Sequence, residues 1–300
     1  MNDELISGLI AHSVKIGSNL DFVQASGGNT SYKHDNSITV KGSGKRLKDA
    51  ANKNIFVTLN ISELSEDAVL NTADFSYLSQ DGIIPSIEAN FHILLKNKYV
   101  THVHSFGSIA VGVSPNLTLA LTELWDQLEV KIISYVRPGI ELAKKIVQVK
   151  DFQKSKLLLM NHGIIVSGKS FKEIEDFLDF FEAEVLRSIY SLPVAEINPT
   201  WVQILTSGVL TPDEAVFLGA KPFISSNNSS ETFITINSEG IINIPASFND
   251  DQKKLAEFYI KLAKLLDRKV SISYLDPIEV FELLNWDKEI LRRTEIDQCN

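Results

Sequence analysis

The chain has 300 residues, room for one or two domains at about 150 residues each and for a sizeable apolar core. Hydrophobic residues make up 44% and charged residues 22%, ordinary globular values that exclude a disordered, collagenous or low-complexity chain. With 29 basic against 38 acidic residues the net charge is −9, a surface that repels phosphate backbones, so nucleic acid is not an expected partner.

No apolar run approaches the roughly 18 residues that a membrane span needs, so no membrane partner is expected. The opening residues Met1, Asn2, Asp3 and Glu4 are acidic where a signal peptide would be basic. Cys299 is the lone cysteine and has no internal partner for a disulfide. A cytoplasmic protein is the expectation.

The elements can be taken in chain order. Leu5, Ile6, Leu9, Ile10 and Val14 recur at three-to-four spacing and predict a first helix, stopped at Gly17. Short β-like pieces follow at 30–33, 38–41 and 55–59. A helix is expected from Ser86 through Leu95, then strands at 99–105 and 130–136. Pro138 opens a helix reaching Val149, and apolar runs at 157–160 and 164–167 flank Asn161-His162-Gly163. Ser170 and Glu173 have the spacing of a capping box ahead of a long amphipathic helix ending near Tyr190. Residues 191–250 read as loop-rich, with one short helix signalled by Thr211, Pro212 and Glu214. Helices at 250–267 and 277–293 close the chain, the second capped by Asp276 with Glu279 completing a box. The change of character places a domain boundary near 195. Strands alternating with helices put the first part in an α/β or α+β class.

Thr101-His102-Val103-His104-Ser105 carries the strongest chemical signal. Strand side chains alternate faces, so His102 and His104 share one, about 7 Å apart at ~3.3 Å rise per residue. They can converge on one metal ion, or serve as two half-buried strand histidines bonded to backbone. A third ligand favours the metal, because catalytic zinc takes three protein ligands and leaves a position open. His162, at a strand end beside Gly163, is the natural third. His12 and His34 read as structural, and His92, four residues after Glu88, as a packing or supporting residue. Glu88 ahead of an apolar helix face is either a dipole-favoured helix-start glutamate or a general base beside the metal. Ser26-Gly27-Gly28-Asn29-Thr30-Ser31 and Lys41-Gly42-Ser43-Gly44-Lys45 are glycine-rich turns. They are ordinary hairpin turns or cradles for an oxyanion, with Lys41 or Lys45 adding positive charge.

In this order, GGNTS, KGSG, PSIE, HVH and NHG resemble the class II aldolase and adducin head-domain family over about residues 1–190. That family includes L-fuculose-1-phosphate and L-rhamnulose-1-phosphate aldolases and L-ribulose-5-phosphate 4-epimerase. Residues 195–300, with LTPDEAVFLGAKPF and EVFELLNWDKE, resemble the aldolase portion of longer bacterial proteins fused to a short-chain dehydrogenase. No dehydrogenase part is expected here.

The resemblance implies a three-layer α/β/α sandwich with a central, largely antiparallel sheet. Residues 1–194 would be the catalytic domain and 195–300 a mostly helical extension packed on it. It implies His102, His104 and His162 as ligands of Zn²⁺ or another divalent ion and Glu88 as the catalytic acid/base. Gly28, Asn29, Thr30, Ser43, Gly44 and Ser86 would bind substrate phosphate. Ile87 stands where the simple aldolases have a second serine, which removes one phosphate donor. The activity implied is a metal-dependent aldolase acting on a sugar phosphate or related hydroxy-ketone, in a homotetramer. The alternatives are an epimerase or dehydratase using the same site, or a non-catalytic adducin-like interaction domain.

Overall fold

The computed structural model describes residues 2–79, 82–193, 201–268 and 270–297. The boundary expected near 195, and Cys299, lie outside these residues. The first elements are α1 (Asn2–Gly17), β1 (Asn29–His34), β2 (Ser37–Lys41), β3 (Phe56–Asn60), α2 (Glu66–Asn71), α3 (Ala89–Leu94) and β4 (Tyr99–Val103). They continue with α4 (Phe106–Gly112), α5 (Pro115–Ala120), α6 (Thr122–Leu128), β5 (Val130–Ile133), α7 (Ile140–Ile146), β6 (Lys156–Leu159), β7 (Gly163–Gly168) and α8 (Phe171–Tyr190). The last third holds α9 (Trp201–Thr206), α10 (Pro212–Leu218), β8 (Phe223–Ser225), β9 (Ile234–Ile236), β10 (Ile242–Asn243), α11 (Asp250–Leu265), α12 (Pro277–Leu284) and α13 (Asp287–Asp297).

Seven strands form one sheet in the order β3-β2-β1-β4-β7-β6-β5. Every pair is antiparallel except β5–β6. Helices cover both faces, because the strands are apolar on both sides. Leu158, Ile164 and Val166 face a core with α1, α4 and α8, which supply Leu9, Ile109 and Phe181. The intervening Leu157, Leu159 and Ile165 face a second core with α2, α3 and α7, built on Val69, Phe91 and Leu142. This period of two makes the α/β/α sandwich.

The C-terminal part is largely helical and shares the first of these cores. Asn161 Nδ2 donates to Leu210 O at 2.9 Å and to Ser273 O at 2.8 Å, and Arg46 pairs with Asp251 at 2.8 Å. Such buried polar ties join the last third to the turns that carry the site.

Several elements differ from expectation for local reasons. The helix expected from Ser86 begins at Ala89; Gly42 bridges Pro85 and Ser86 N–H bonds Lys41 O at 3.0 Å, so the chain up to Ser86 is paired in strand fashion. The strand expected over 99–105 stops at Val103, and Ser105 caps α4 by accepting from Ser108 N–H. Helix α4 went unmarked because every one of its residues is buried, so no apolar stripe stands out. The expected 277–293 helix is two, broken at Asn285 and Trp286. Its box does not close, for Asp276 accepts from Ile278 N–H while Glu279 Oε2 is buried without a partner. The loop-rich stretch contains α9 and a three-stranded sheet ordered β10-β9-β8.

Helix α10 forms as its signature predicts, with Thr211 as cap and Pro212 at the first position. Glu214 Oε2 accepts Leu210 N–H at 2.6 Å, wholly inside the protein. Burial pushes this carboxyl up to about 8, against the pull of two backbone N–H groups. A raised carboxyl contributes stability that is full below the unfolded value of 4.5 and lost as pH climbs through the folded one. Glu214→Gln cannot ionise. Denaturant unfolding should therefore show the variant gaining on wild type between about pH 5 and pH 8, by up to ~1.4 kcal/mol per pH unit. Parallel pH profiles would show that Glu214 titrates normally.

Candidate active site

Among the described residues, His102, His104 and His162 form a buried group whose ligand atoms lie within 4.8 Å of one another. His102 sits inside β4, opposite Asn29 on one side and Ile165 on the other. His104 lies just past the strand end, and His162 in the turn between β6 and β7. The ring centroids are 4.8, 4.8 and 5.1 Å apart.

The protons of two rings are fixed by their partners. His102 Nδ1 faces Ile164 O at 3.1 Å, and a carbonyl only accepts, so Nδ1–H donates. His104 Nδ1 likewise donates to Asp213 Oδ2 at 2.7 Å. The two Nε2 atoms face each other at 3.0 Å. Burial pushes His102 down to about 4, overriding the pull of Glu88. It also holds His162 well below its ordinary value, helped by the charges of His102 and His104. His102 Nε2 is therefore a free lone pair at neutral pH, and three imidazoles beside a carboxylate are a donor set that suits a divalent cation such as zinc.

Glu88 completes that set. Its Oε2 lies 3.6 Å from His102 Nε2 and its Oε1 3.5 Å from His162 Nε2. Oε1 is buried without a hydrogen-bond partner. Oε2 accepts from Asn29 Nδ2 at 2.8 Å, and Asn29 Oδ1 in turn bonds His92 Nε2. His92 Nδ1 reaches Ser31 Oγ at 2.7 Å. His92 thus supports Glu88 through Asn29, the supporting role read from its place four residues on.

The glycine-rich turns and the Ser86 turn meet beside Glu88. Gly42 bridges Pro85, and Ser43 N–H donates to Ile84 O at 2.8 Å. Lys41 Nζ donates to Ser26 O at 2.6 Å and Lys45 O at 2.9 Å, lacing the two turns together. Gly28, Asn29, Ser43, Gly44, Ser86, Ile87 and Glu88 line one narrow recess. Thr30 is not among them: its hydroxyl bonds Ser13 of α1 at 2.7 Å, on the opposite face of the sheet. Asn29 opposes His102 while Thr30 opposes Thr101, so strand alternation sends them to different sides. His12 is structural as expected, held by Thr101 and Glu175 at 2.8 Å each.

Three residues of the site escaped the sequence. Asp213 enters on α10, and Arg292 and Glu289 on α13. Arg292 Nη2 pairs with Asp213 Oδ1, and its Nε lies 2.9 Å from Glu289 Oε2. Burial pushes Asp213 up, but His104 and Arg292 outweigh it and hold the carboxyl well below its usual range. The capping signature of α10 contained Asp213 at its second position and was its one local signal.

The family profile described as Class II Aldolase and Adducin N-terminal domain matches residues 9–184. Among solved structures, the N-terminal class II aldolase domain of a conserved Thermoplasma acidophilum protein is 23% identical, covering 61% of this chain and 93% of its own, with a TM-score of 0.48. A sugar-phosphate aldolase from Thermotoga maritima is 15% identical, covering 66% and 98%, with a TM-score of 0.48. An L-fuculose-1-phosphate aldolase from Thermus thermophilus is 14% identical, covering 63% and 95%, with a TM-score of 0.45. No curated protein matches the chain.

The Asp213–His104 contact needs the missing side chain of Gly27. A Cβ there would lie 2.6 Å from Asp213 Oδ2 and 2.9 Å from His104 Nδ1. Gly27→Ala should force that pair apart and destabilise the protein by about 1–3 kcal/mol in denaturant unfolding. Wild-type stability in that variant would show that the turn yields freely.

Proposed function

Because the chain belongs to the Class II Aldolase and Adducin N-terminal domain family, we propose that it is a metal-dependent aldolase cleaving a sugar phosphate or related hydroxy-ketone. The observation that carries this reading is the convergence of three buried imidazoles on Glu88, with two Nε2 atoms 3.0 Å apart. His102, His104 and His162 would hold the ion, zinc by the chemistry of the donors. A bound divalent ion supplies a Lewis acid for the negative charge that develops on the ketone and hydroxyl oxygens as the carbon–carbon bond opens.

The chain's own groups do the rest. In cleavage the hydroxyl that becomes the aldehyde loses a proton and the released carbon takes one. Glu88 would accept the first and deliver the second, a role supported by its unengaged Oε1 and its Oε2 held by Asn29. A buried carboxylate with one oxygen held and one unengaged moves a proton without reorienting. Ser43, Gly44 and Ser86 line the recess beside it and would hold the substrate's phosphate. This reading takes residues 1–194 as the catalytic unit and 195–300 as an extension, assembled as a homotetramer.

Elemental analysis of protein purified under metal-replete conditions should find one divalent ion per chain. Glu88→Gln keeps size and loses charge, so it should retain the ion and lose turnover of ketose phosphates by ~10²-fold or more. Near-normal turnover, or wild type without metal, would sink the reading.

Asp213 fixes the His104 tautomer and ring orientation. Such a partner of a ligating histidine changes metal affinity by about 10- to 100-fold. Asp213→Asn should show a loss of that size in competition with a chromogenic chelator, and unchanged affinity would remove Asp213 from the metal's support.

A further inference from the structure

Arg292 sits at the recess without having been required by anything described for the reaction. It lines the cavity together with Asn29, Ser43, Gly44 and Ser86. Its side chain is 12% exposed, on a helix that begins more than a hundred residues beyond the family match. Three contacts fix the guanidinium: Nη2 pairs with Asp213, Nε lies beside Glu289, and Cζ stands 4.9 Å from the Phe217 ring. Among the described residues, Nη1 has no protein partner.

We propose that Arg292, delivered by the last helix, is the residue that binds the anionic group of the substrate, a phosphate or a carboxylate. The inference rests on the aldolase reading for calling that anion part of a substrate. Its own footing is geometric. A guanidinium braced on one side by two carboxylates and stacked on an aromatic ring presents its remaining N–H groups as a rigid fork. Arg292 lines the same recess as the hydroxyls of Ser43 and Ser86 and the backbone of the two turns, all donors for oxygen atoms. Ile87, which carries no hydroxyl, lines it too, and a guanidinium supplies charge-assisted donors in exchange.

The surrounding charges fit an incoming anion. Asp213 is engaged between His104 and Arg292. Burial pushes Glu289 up to about 7 against the pull of Arg292, so this carboxyl is only partly ionised near neutrality, and Arg292 faces what charge it carries. Glu88 is tied to Asn29 and turned toward the histidines.

The test is isothermal titration of the full-length, zinc-loaded protein with inorganic phosphate and, separately, with glycolate. Wild type should bind at least one. Arg292→Gln should weaken that anion by about tenfold or more, as expected for losing charge-assisted hydrogen bonds. Arg292→Lys, which keeps a charge between Asp213 and Glu289 but loses the fork, should fall in between. Titrations are made at saturating zinc with the metal content of each variant measured, because Arg292 also pairs with Asp213 beside His104. Preference for phosphate over glycolate assigns a phosphorylated substrate, and the reverse a hydroxy-acid. Wild type that binds neither anion overturns the proposal, as does a metal-replete Arg292→Gln with wild-type affinity. Should Arg292→Gln not fold, wild-type affinity in Arg292→Lys overturns it alone. Because the readout is binding without turnover, an inactive wild type that still binds anions through Arg292 overturns the aldolase reading and leaves the anion site standing.

Discussion

Two imidazoles hold their Nε2 atoms 3.0 Å apart inside the protein, and much of the structure near them keeps them there. Each ring would turn away if its other nitrogen were unoccupied. For His102 the restraint comes from a neighbouring strand, through the carbonyl of Ile164. For His104, which lies beyond the end of its strand, it comes from Asp213, far along the chain on α10. That difference makes the C-terminal part a component of the site. The Thr211 cap, Pro212 and the buried Glu214 fix where α10 begins, and Asn161 ties the approach to α10 to the very turn that carries His162. A displacement of α10 would reach both ligands at once.

The histidine cluster was legible because each member is marked by local pattern: alternation for His102 and His104, a glycine-flanked strand end for His162. Glu88 was legible for the same reason, by its place ahead of an apolar helix face. Alternating strands and helices pointed to an α/β or α+β class, and the three layers came only from the family resemblance that the motifs carry. Asp213, Glu289 and Arg292 had no such mark. A helix-start aspartate is ordinary by dipole, and a Glu and Arg three apart read as a surface pair. Their role appears only when α10 and α13 are folded against the first 190 residues, a contact that no local period encodes.

The reading of the glycine-rich turn failed in one instructive place. Asn29 and Thr30 were grouped as phosphate ligands, yet consecutive strand residues cannot face the same side. The structure sends Thr30 to α1 and keeps Asn29 on the histidine face. There Asn29 contributes its amide to Glu88 and its carbonyl to His92. An amide has one donor end and one acceptor end, so the His92 contact decides which end Glu88 meets. Ser31, two residues on and so on the same face, closes the series at His92.

Charge balance explains why these pieces come together as a unit. Glu88, Asp213 and Glu289 are all buried at this site, in a chain that already carries a net charge of −9. Isolated carboxylates at such depth are strongly disfavoured, and each here is placed against a compensating group. Arg292 stands between Asp213 and Glu289, Asn29 holds Glu88, and the remaining oxygen of Glu88 looks toward the imidazoles. Removing any one of these groups leaves another with an uncompensated charge or an orphaned lone pair. A helix from the far end of the chain therefore does more than cover the site: Arg292 supplies the fixed positive charge that offsets Asp213 and Glu289, the two carboxylates that the C-terminal part itself brings to the pocket.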